Sequence, residues 1–187
     1  MLTSSWMLTV WRLPSKITNR RRPTMKRLIA ATLTLAALAL AAETANLLKP
    51  TNKTESWRLE QHDEAKAAMS VDGEALVVDV TNVTSESWHV QLFQTGLALK
   101  NGVEYVFTFK AKASESRSIQ AVAGIDQEDW HMIGLDESVE LGKEWKDYKF
   151  TFTASETVEK NNRIGFQLGQ AKGKVWLKDV TLQPAKK

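Results

Sequence analysis

From Val103 to Ala113 the chain places Val103, Tyr105, Phe107, Phe109, Ala111 and Ala113 on alternate positions, with Glu104, Val106, Thr108, Lys110 and Lys112 between them. A side-chain period of two belongs to a β-strand with one buried face. The same alternation recurs at Leu76-Val78-Val80, Tyr148-Phe150-Phe152 and Ile164-Phe166-Leu168. The final segment changes phase: Val175 and Leu177 are odd-numbered, Val180 and Leu182 even-numbered. A β-bulge near Lys178-Asp179 would keep both pairs in the core. Turn signals separate the runs at Asp72-Gly73, Asn101-Gly102, Gly142-Lys143, Asn161-Asn162 and Lys172-Gly173. The pattern predicts about ten or eleven strands, near 46–48, 55–61, 65–70, 75–81, 87–93, 103–113, 117–124, 130–135, 145–154, 162–169 and 174–183. The best helical candidate after residue 46, His62–Met69, reads equally as a strand. Many short strands with regular turns predict an all-β sandwich or barrel.

The first 41 residues follow different rules. Leu28 to Ala42 is an uncharged apolar run of fifteen residues, preceded by Arg20 to Arg27 and ending in Ala39-Leu40-Ala41. A basic region, a short apolar stretch and small residues at the cleavage position define a secretory signal peptide. The run is shorter than the ~20 apolar residues of a membrane span, so no stable membrane insertion is expected after cleavage. Met25-Lys26-Arg27 is itself a normal signal start, which makes Met25 an alternative first residue. Residues 1–41 are therefore read as a signal-peptide region and 42–187 as one exported domain, secreted or held in the periplasm or cell envelope.

Removing the leader changes the charge picture. The whole chain carries a net charge of +3, but residues 1–41 hold seven Lys and Arg and no acid, leaving 18 bases against 22 acids, a net charge of −4. A mildly acidic domain excludes the reading of the overall basicity as a nucleic-acid signal. With no cysteine, disulfides, thiol catalysis and thiolate-bound zinc are also excluded.

Five tryptophans remain: Trp57, Trp88, Trp130, Trp145 and Trp176. Trp88 is in phase with Val90 and Leu92, and Trp145 opens the Tyr148-Phe150-Phe152 strand, so both are expected to be structural. Trp57 and Trp130 have polar neighbours, Glu55-Ser56 and Arg58 in one case, Glu128-Asp129 and His131 in the other. An exposed ring in such a setting is a stacking platform, on which the C–H face of a sugar packs. Gln91, Gln120 and Gln167 take the non-core phase of their strands, and Arg163 shares a face with Gln167. Amides carry a donor and an acceptor each and match vicinal hydroxyls without a charge to desolvate. No nucleophile-elbow, zincin, P-loop or dinucleotide motif is present. His62, His89 and His131 have no ligand spacing and read as scattered exposed residues, and Glu128-Asp129 and Asp136-Glu137 as solvated loop charges.

The run Trp88-His89-Val90-Gln91-Leu92-Phe93-Gln94-Thr95-Gly96-Leu97 followed by Gly102 to Ala113, the strand Trp145-Lys146-Asp147-Tyr148-Lys149-Phe150-Thr151-Phe152-Thr153-Ala154, and Arg163-Ile164-Gly165-Phe166-Gln167-Leu168-Gly169 with Asp179-Val180-Thr181-Leu182 together resemble the carbohydrate-binding modules of family 4/9, the CenC-like type. The resemblance covers about residues 46–184. It implies a jelly-roll, galactose-binding-domain-like β-sandwich that binds β-glucan or xylan chains in a cleft on the concave sheet. Carried onto this chain, it implies platforms at Trp130 and Trp57 and amide contacts from Gln167 and from Gln91 or Gln94. Gln120 falls where some members carry an arginine. A structural calcium held through Asp179 is also implied, although Asn46-Leu47-Leu48-Lys49-Pro50 replaces the usual N-G-D-F-E ligands.

The expectation is thus an exported, monomeric, non-catalytic polysaccharide-binding protein with a ligand face of Gln91, Gln120, Arg163 and Gln167 and with Trp130 and Trp57 at its margins. Because such modules normally accompany a catalytic domain, an envelope sandwich used for structure or protein interaction is the alternative. A small glycoside hydrolase, or an accessory subunit of one, is the third reading.

Overall fold

The computed structural model describes residues 45–186, and the leader therefore lies outside the described residues. Ten strands follow in order: β1 (Arg58–Gln61), β2 (Lys66–Asp72), β3 (Ala75–Asn82), β4 (Val90–Leu97), β5 (Glu104–Ala113), β6 (Arg117–Ile125), β7 (Met132–Leu141), β8 (Lys146–Thr153), β9 (Asn162–Gln167) and β10 (Gly173–Pro184). They form two five-stranded antiparallel sheets, ordered β1-β4-β9-β6-β7 and β2-β3-β10-β5-β8. Successive strands repeatedly change sheet, as in a jelly-roll sandwich, so each sheet contributes one apolar face to a shared core.

The alternation explains that core. Along β5, Tyr105, Phe107, Phe109, Ala111 and Ala113 are all buried, and they meet Leu92, Ile164 and Phe166 of the other sheet. The Phe109 ring lies edge-on to Phe166 at 4.9 Å. The bulge in β10 is where the phase change requires it: pairing with β5 shifts register between Lys178 and Thr181, and Asp179 takes a left-handed φ of 52°. Val175, Leu177, Val180 and Leu182 are consequently all buried.

Several expected elements differ: the 55–61 strand begins only at Arg58 after the 3-10 turn Thr54–Ser56, and the 130–135 strand runs from Met132 to Leu141. Residues 46–48 are not a strand; the Asn46 side chain does that work, accepting from Leu182 N at 2.9 Å and donating to Val180 O at 3.2 Å. The 87–93 strand begins only at Val90, because Ser87–His89 forms a 3-10 turn.

Gly165, at the centre of the first sheet, accommodates a close backbone approach: a Cβ there would stand 1.9 Å from Leu92 O. Beside it Asn162 is fully buried; its amide donates to Leu97 O and Val158 O, both at 2.7 Å, and accepts from Val158 N. This fixes the loop that enters β9.

Candidate functional site

The register of the first sheet assembles its outer face. Pairing sets Glu60 opposite Gln91, Gln91 opposite Gln167, Gln167 opposite Gln120 and Gln120 opposite Ser138, one polar row across all five strands. Arg163 lies two residues along β9 from Gly165 and so shares this face with Gln167. A groove of about 410 Å³ opens here, lined by Glu60, His62, Trp88, Gln91, Trp130, Met132, Arg163 and Gln167. Two exposed indoles are set into it, Trp88 at 42% and Trp130 at 50% exposure. The expected face of Gln91, Gln120, Arg163 and Gln167 is thus brought together, with Trp130 at its margin.

Three expectations about the site are corrected. Trp57 is only 6% exposed; the 3-10 turn Thr54–Ser56 directs it into the core, and its Nε1 donates to Pro50 O at 3.2 Å. It offers no ring to a ligand. Gln94 pairs with Ile164, in the inward phase of β4, and its amide is consumed by Lys49 N and Lys49 O, both at 2.8 Å. Of the two amides left open by sequence, Gln91 faces the groove. Asp179 is exposed and stands 3.3 Å from Lys110 Nζ, so a cation already occupies its carboxylate. Its residues do not fit a calcium ion, which needs six to eight oxygen ligands, and among the described residues no cluster of three or more metal-ligating side chains occurs.

Trp88 is the residue that sequence reasoning assigned to the core. The 3-10 turn breaks the strand phase before Val90 and swings the indole outward, where it meets His62 at 5.3 Å and the edge of His89 at 4.1 Å. Its polar neighbours Ser87 and His89 were the available signal, the same one that selected Trp130. His89 is not exposed: it is buried, with Nδ1 2.6 Å from Thr84 Oγ1. Trp145 is half-buried on the outer face of the second sheet, with Lys178 Nζ 4.3 Å and Lys112 Nζ 5.2 Å from its ring centre. It is outside the core because its odd number puts it out of phase with Tyr148, Phe150 and Phe152.

The charged groups of the groove compensate one another. Arg58 makes a bidentate pair with Asp126 and reaches Glu60 at 2.7 Å. Arg163 stands 3.7 Å from Glu60 and 3.8 Å from Asp126. Two cations and two anions leave no net charge on this quartet. Burial pulls the Arg163 pKa down, opposed by the two carboxylates, while the Asp126 hydrogen bond pushes that of Arg58 up. Both guanidinium groups stay charged at any ordinary pH.

Arg163 is the most pre-organised of these groups. Its side chain is 7% exposed, with the guanidinium 4.3 Å from the Phe93 ring centre and 4.9 Å from that of Trp130. The aromatic rings fix its plane, yet its N–H groups make no hydrogen bond within the described residues at ordinary distances. Ser87 Oγ donates to Gln167 Oε1 at 3.0 Å, leaving the Gln167 NH2 available. Gln91 Nε2 lies 3.3 Å from His62 Nε2, leaving its carbonyl available. Gln120 Nε2 donates to Asp136 Oδ1 at 3.2 Å. The groove therefore presents aromatic faces at its ends and unspent donors and acceptors between them.

Comparison with known proteins agrees with this fold. The model of the carbohydrate binding domain family CBM_4_9 matches residues 46–173, and the chain belongs to that family. No curated protein is matched by sequence. Among solved structures, the N-terminal cellulose-binding domain of Cellulomonas fimi β-1,4-glucanase C is 26% identical with a TM-score of 0.59, over 73% of this chain and 93% of that one. The second such domain of the same enzyme is 19% identical with a TM-score of 0.61, covering 77% and 97%. A structure described as CBM4 is 22% identical with a TM-score of 0.66, covering 75% and 97%. These likenesses show the same two-sheet fold, and the family makes the chain a carbohydrate-binding domain.

Proposed function

We propose that the chain is an exported, non-catalytic, monomeric module that binds an uncharged β-linked polysaccharide of the β-glucan or xylan class across the outer face of β1-β4-β9-β6-β7. The observation that carries this reading is the groove between Trp88 and Trp130, where Arg163 and one end each of the Gln91 and Gln167 amides are pre-organised and unspent and the ionic quartet is neutral. Neutral hydrogen bonds contribute only about 0.5–1.5 kcal/mol each. Stacking on two indoles supplies the larger share, giving a total of roughly −4 to −8 kcal/mol, or a Kd between about 1 mM and 1 μM. A neutral quartet neither repels nor demands charge, which suits a hydroxyl-rich polymer. The glucanase C domain bears on ligand class because it is described as cellulose-binding. The leader supports export, with the mature chain starting near Ala42. No pair of groove carboxylates is free for acid–base work, since Glu60 and Asp126 are both engaged by arginines.

Affinity electrophoresis of secreted material, its mass first read to fix the N-terminus, tests this reading. Retardation is expected in soluble β-glucan or xylan gels, with no release of reducing sugar. Migration unchanged in every polysaccharide would remove the proposal.

A further inference from the structure

Trp130 is displayed by the loop between β6 and β7, closed by the Trp130 N–H donating to Gln127 O at 3.0 Å. The first residues of this loop are tied to the β8–β9 connection by Asp126 N donating to Asn161 O at 2.8 Å and by the Asn161 amide donating to Asp126 O at 3.1 Å and Gln127 Oε1 at 2.9 Å. Asp129 and Trp130 both have left-handed backbones, with φ of 77° and 52°, a conformation bulky side chains seldom adopt. The far end of the loop, at Trp130 itself, has a separate fastening in His131, whose side chain is 30% exposed. Its Nδ1 is 2.8 Å from Asp129 Oδ1 and its Nε2 is 2.9 Å from the Glu156 backbone carbonyl, in the β8–β9 connection. The His131 backbone N–H also donates to Asp129 Oδ1 at 3.0 Å, and its carbonyl accepts from Ile125 N at 3.1 Å.

Both partners of the ring are acceptors. A neutral imidazole carries one N–H and can satisfy only one of them; an imidazolium carries two and satisfies both. Resting on the reading of this groove as the polysaccharide site, we infer that His131 is a positioning residue which, as the imidazolium, clamps the Asp129–His131 end of the loop to the β8–β9 connection and holds the Trp130 platform over Arg163, so that ligand affinity declines with rising pH.

The charged groups acting on the ring are Asp129 in its own loop and Glu156 in the facing connection, both acidic. The Glu156 carbonyl bond, followed by the Asp129 bond, raises the His131 pKa, and the His131 bond lowers that of Asp129. A raised pKa means that native contacts favour the protonated form. The clamp is therefore complete below the ordinary imidazole range and lost as pH rises through the raised value.

The test is an NMR titration of the His131 ring and the Trp130 indole N–H, first without sugar, then with soluble β-glucan and xylan at several pH values. The indole should titrate at the same pH as the ring, and affinity should fall about threefold or more across that titration, as a loop competent only a third of the time requires. Asp129→Asn removes the charged acceptor at a backbone φ asparagine tolerates. It should move the ring midpoint, the indole midpoint and the affinity midpoint together to lower pH, which a merely structural contact would not do. If ring and indole titrate together but no polysaccharide binds, the clamp stands and the proposed function fails. If polysaccharide binds while the indole ignores the ring, or while affinity is flat in pH, the clamp is overturned and the proposed function survives.

Discussion

Phe109→Ala should destabilise the domain by about 3–5 kcal/mol, the usual cost of deleting a fully buried phenylalanine. Phe109 projects from β5 into the space between the sheets and is essentially inaccessible. Its ring is edge-on to Phe166 at 4.9 Å, and it stacks on Tyr148 at 5.1 Å and Phe150 at 6.1 Å. Removing it leaves a cavity where the second sheet meets β9, the strand carrying Arg163 and Gln167, and the surrounding rings relax only partly. Urea unfolding should show a lower midpoint with an unchanged slope. A loss under about 1 kcal/mol would mean that the sheets do not depend on this aromatic cluster, because burial on this scale predicts more.

The largest effects on binding are expected at the two indoles. Trp88→Ala and Trp130→Ala should each weaken polysaccharide binding by about 2 kcal/mol, roughly thirtyfold, as loss of a central aromatic anchor does. Both rings are about half exposed, so folding stability should change by only about 0.5 kcal/mol. Trp145→Ala is the matched control: its ring packs against Lys112 and Lys178 on the opposite sheet, and affinity should be unaffected. Calorimetric titration reads the affinities and thermal unfolding the stabilities. Trp130→Ala unfolding the domain, or binding as well as the parent, would remove Trp130 from the site.

The fold was legible in the sequence because its signals are local. Alternation along β5 and the phase change between Leu177 and Val180 follow from strand pleat, and the bulge at Asp179 restores the phase. The polar face was legible for the same reason: parity alone places Gln91, Gln120, Arg163 and Gln167 outward. Parity failed wherever a short turn intervenes. The turn before Trp57 sends that ring inward and the turn around Trp88 sends that ring outward, so the two tryptophans exchange the roles expected of them. Long-range partners were beyond sequence reading altogether. Gln94 is consumed by Lys49, Asp179 by Lys110, and Glu60 is drawn into the groove by Arg58 and Arg163. Glu60 was overlooked because a lone acid between Leu59 and Gln61 on a short strand looks like ordinary surface.

Where on the molecule the sugar lies is the point on which the account turns. A single titration of isotope-labelled protein with a soluble β-glucan or xylan oligosaccharide, following the five indole N–H resonances of the domain, reads it directly. The indoles of Trp88 and Trp130 should shift as saturation proceeds, together with the side-chain amides of Gln91 and Gln167, while Trp57, Trp145 and Trp176 stay in place. Shifts confined to Trp145 and Trp176 would put the ligand on the other sheet and contradict the proposed site, and saturable binding with no indole responding would contradict stacking as its basis.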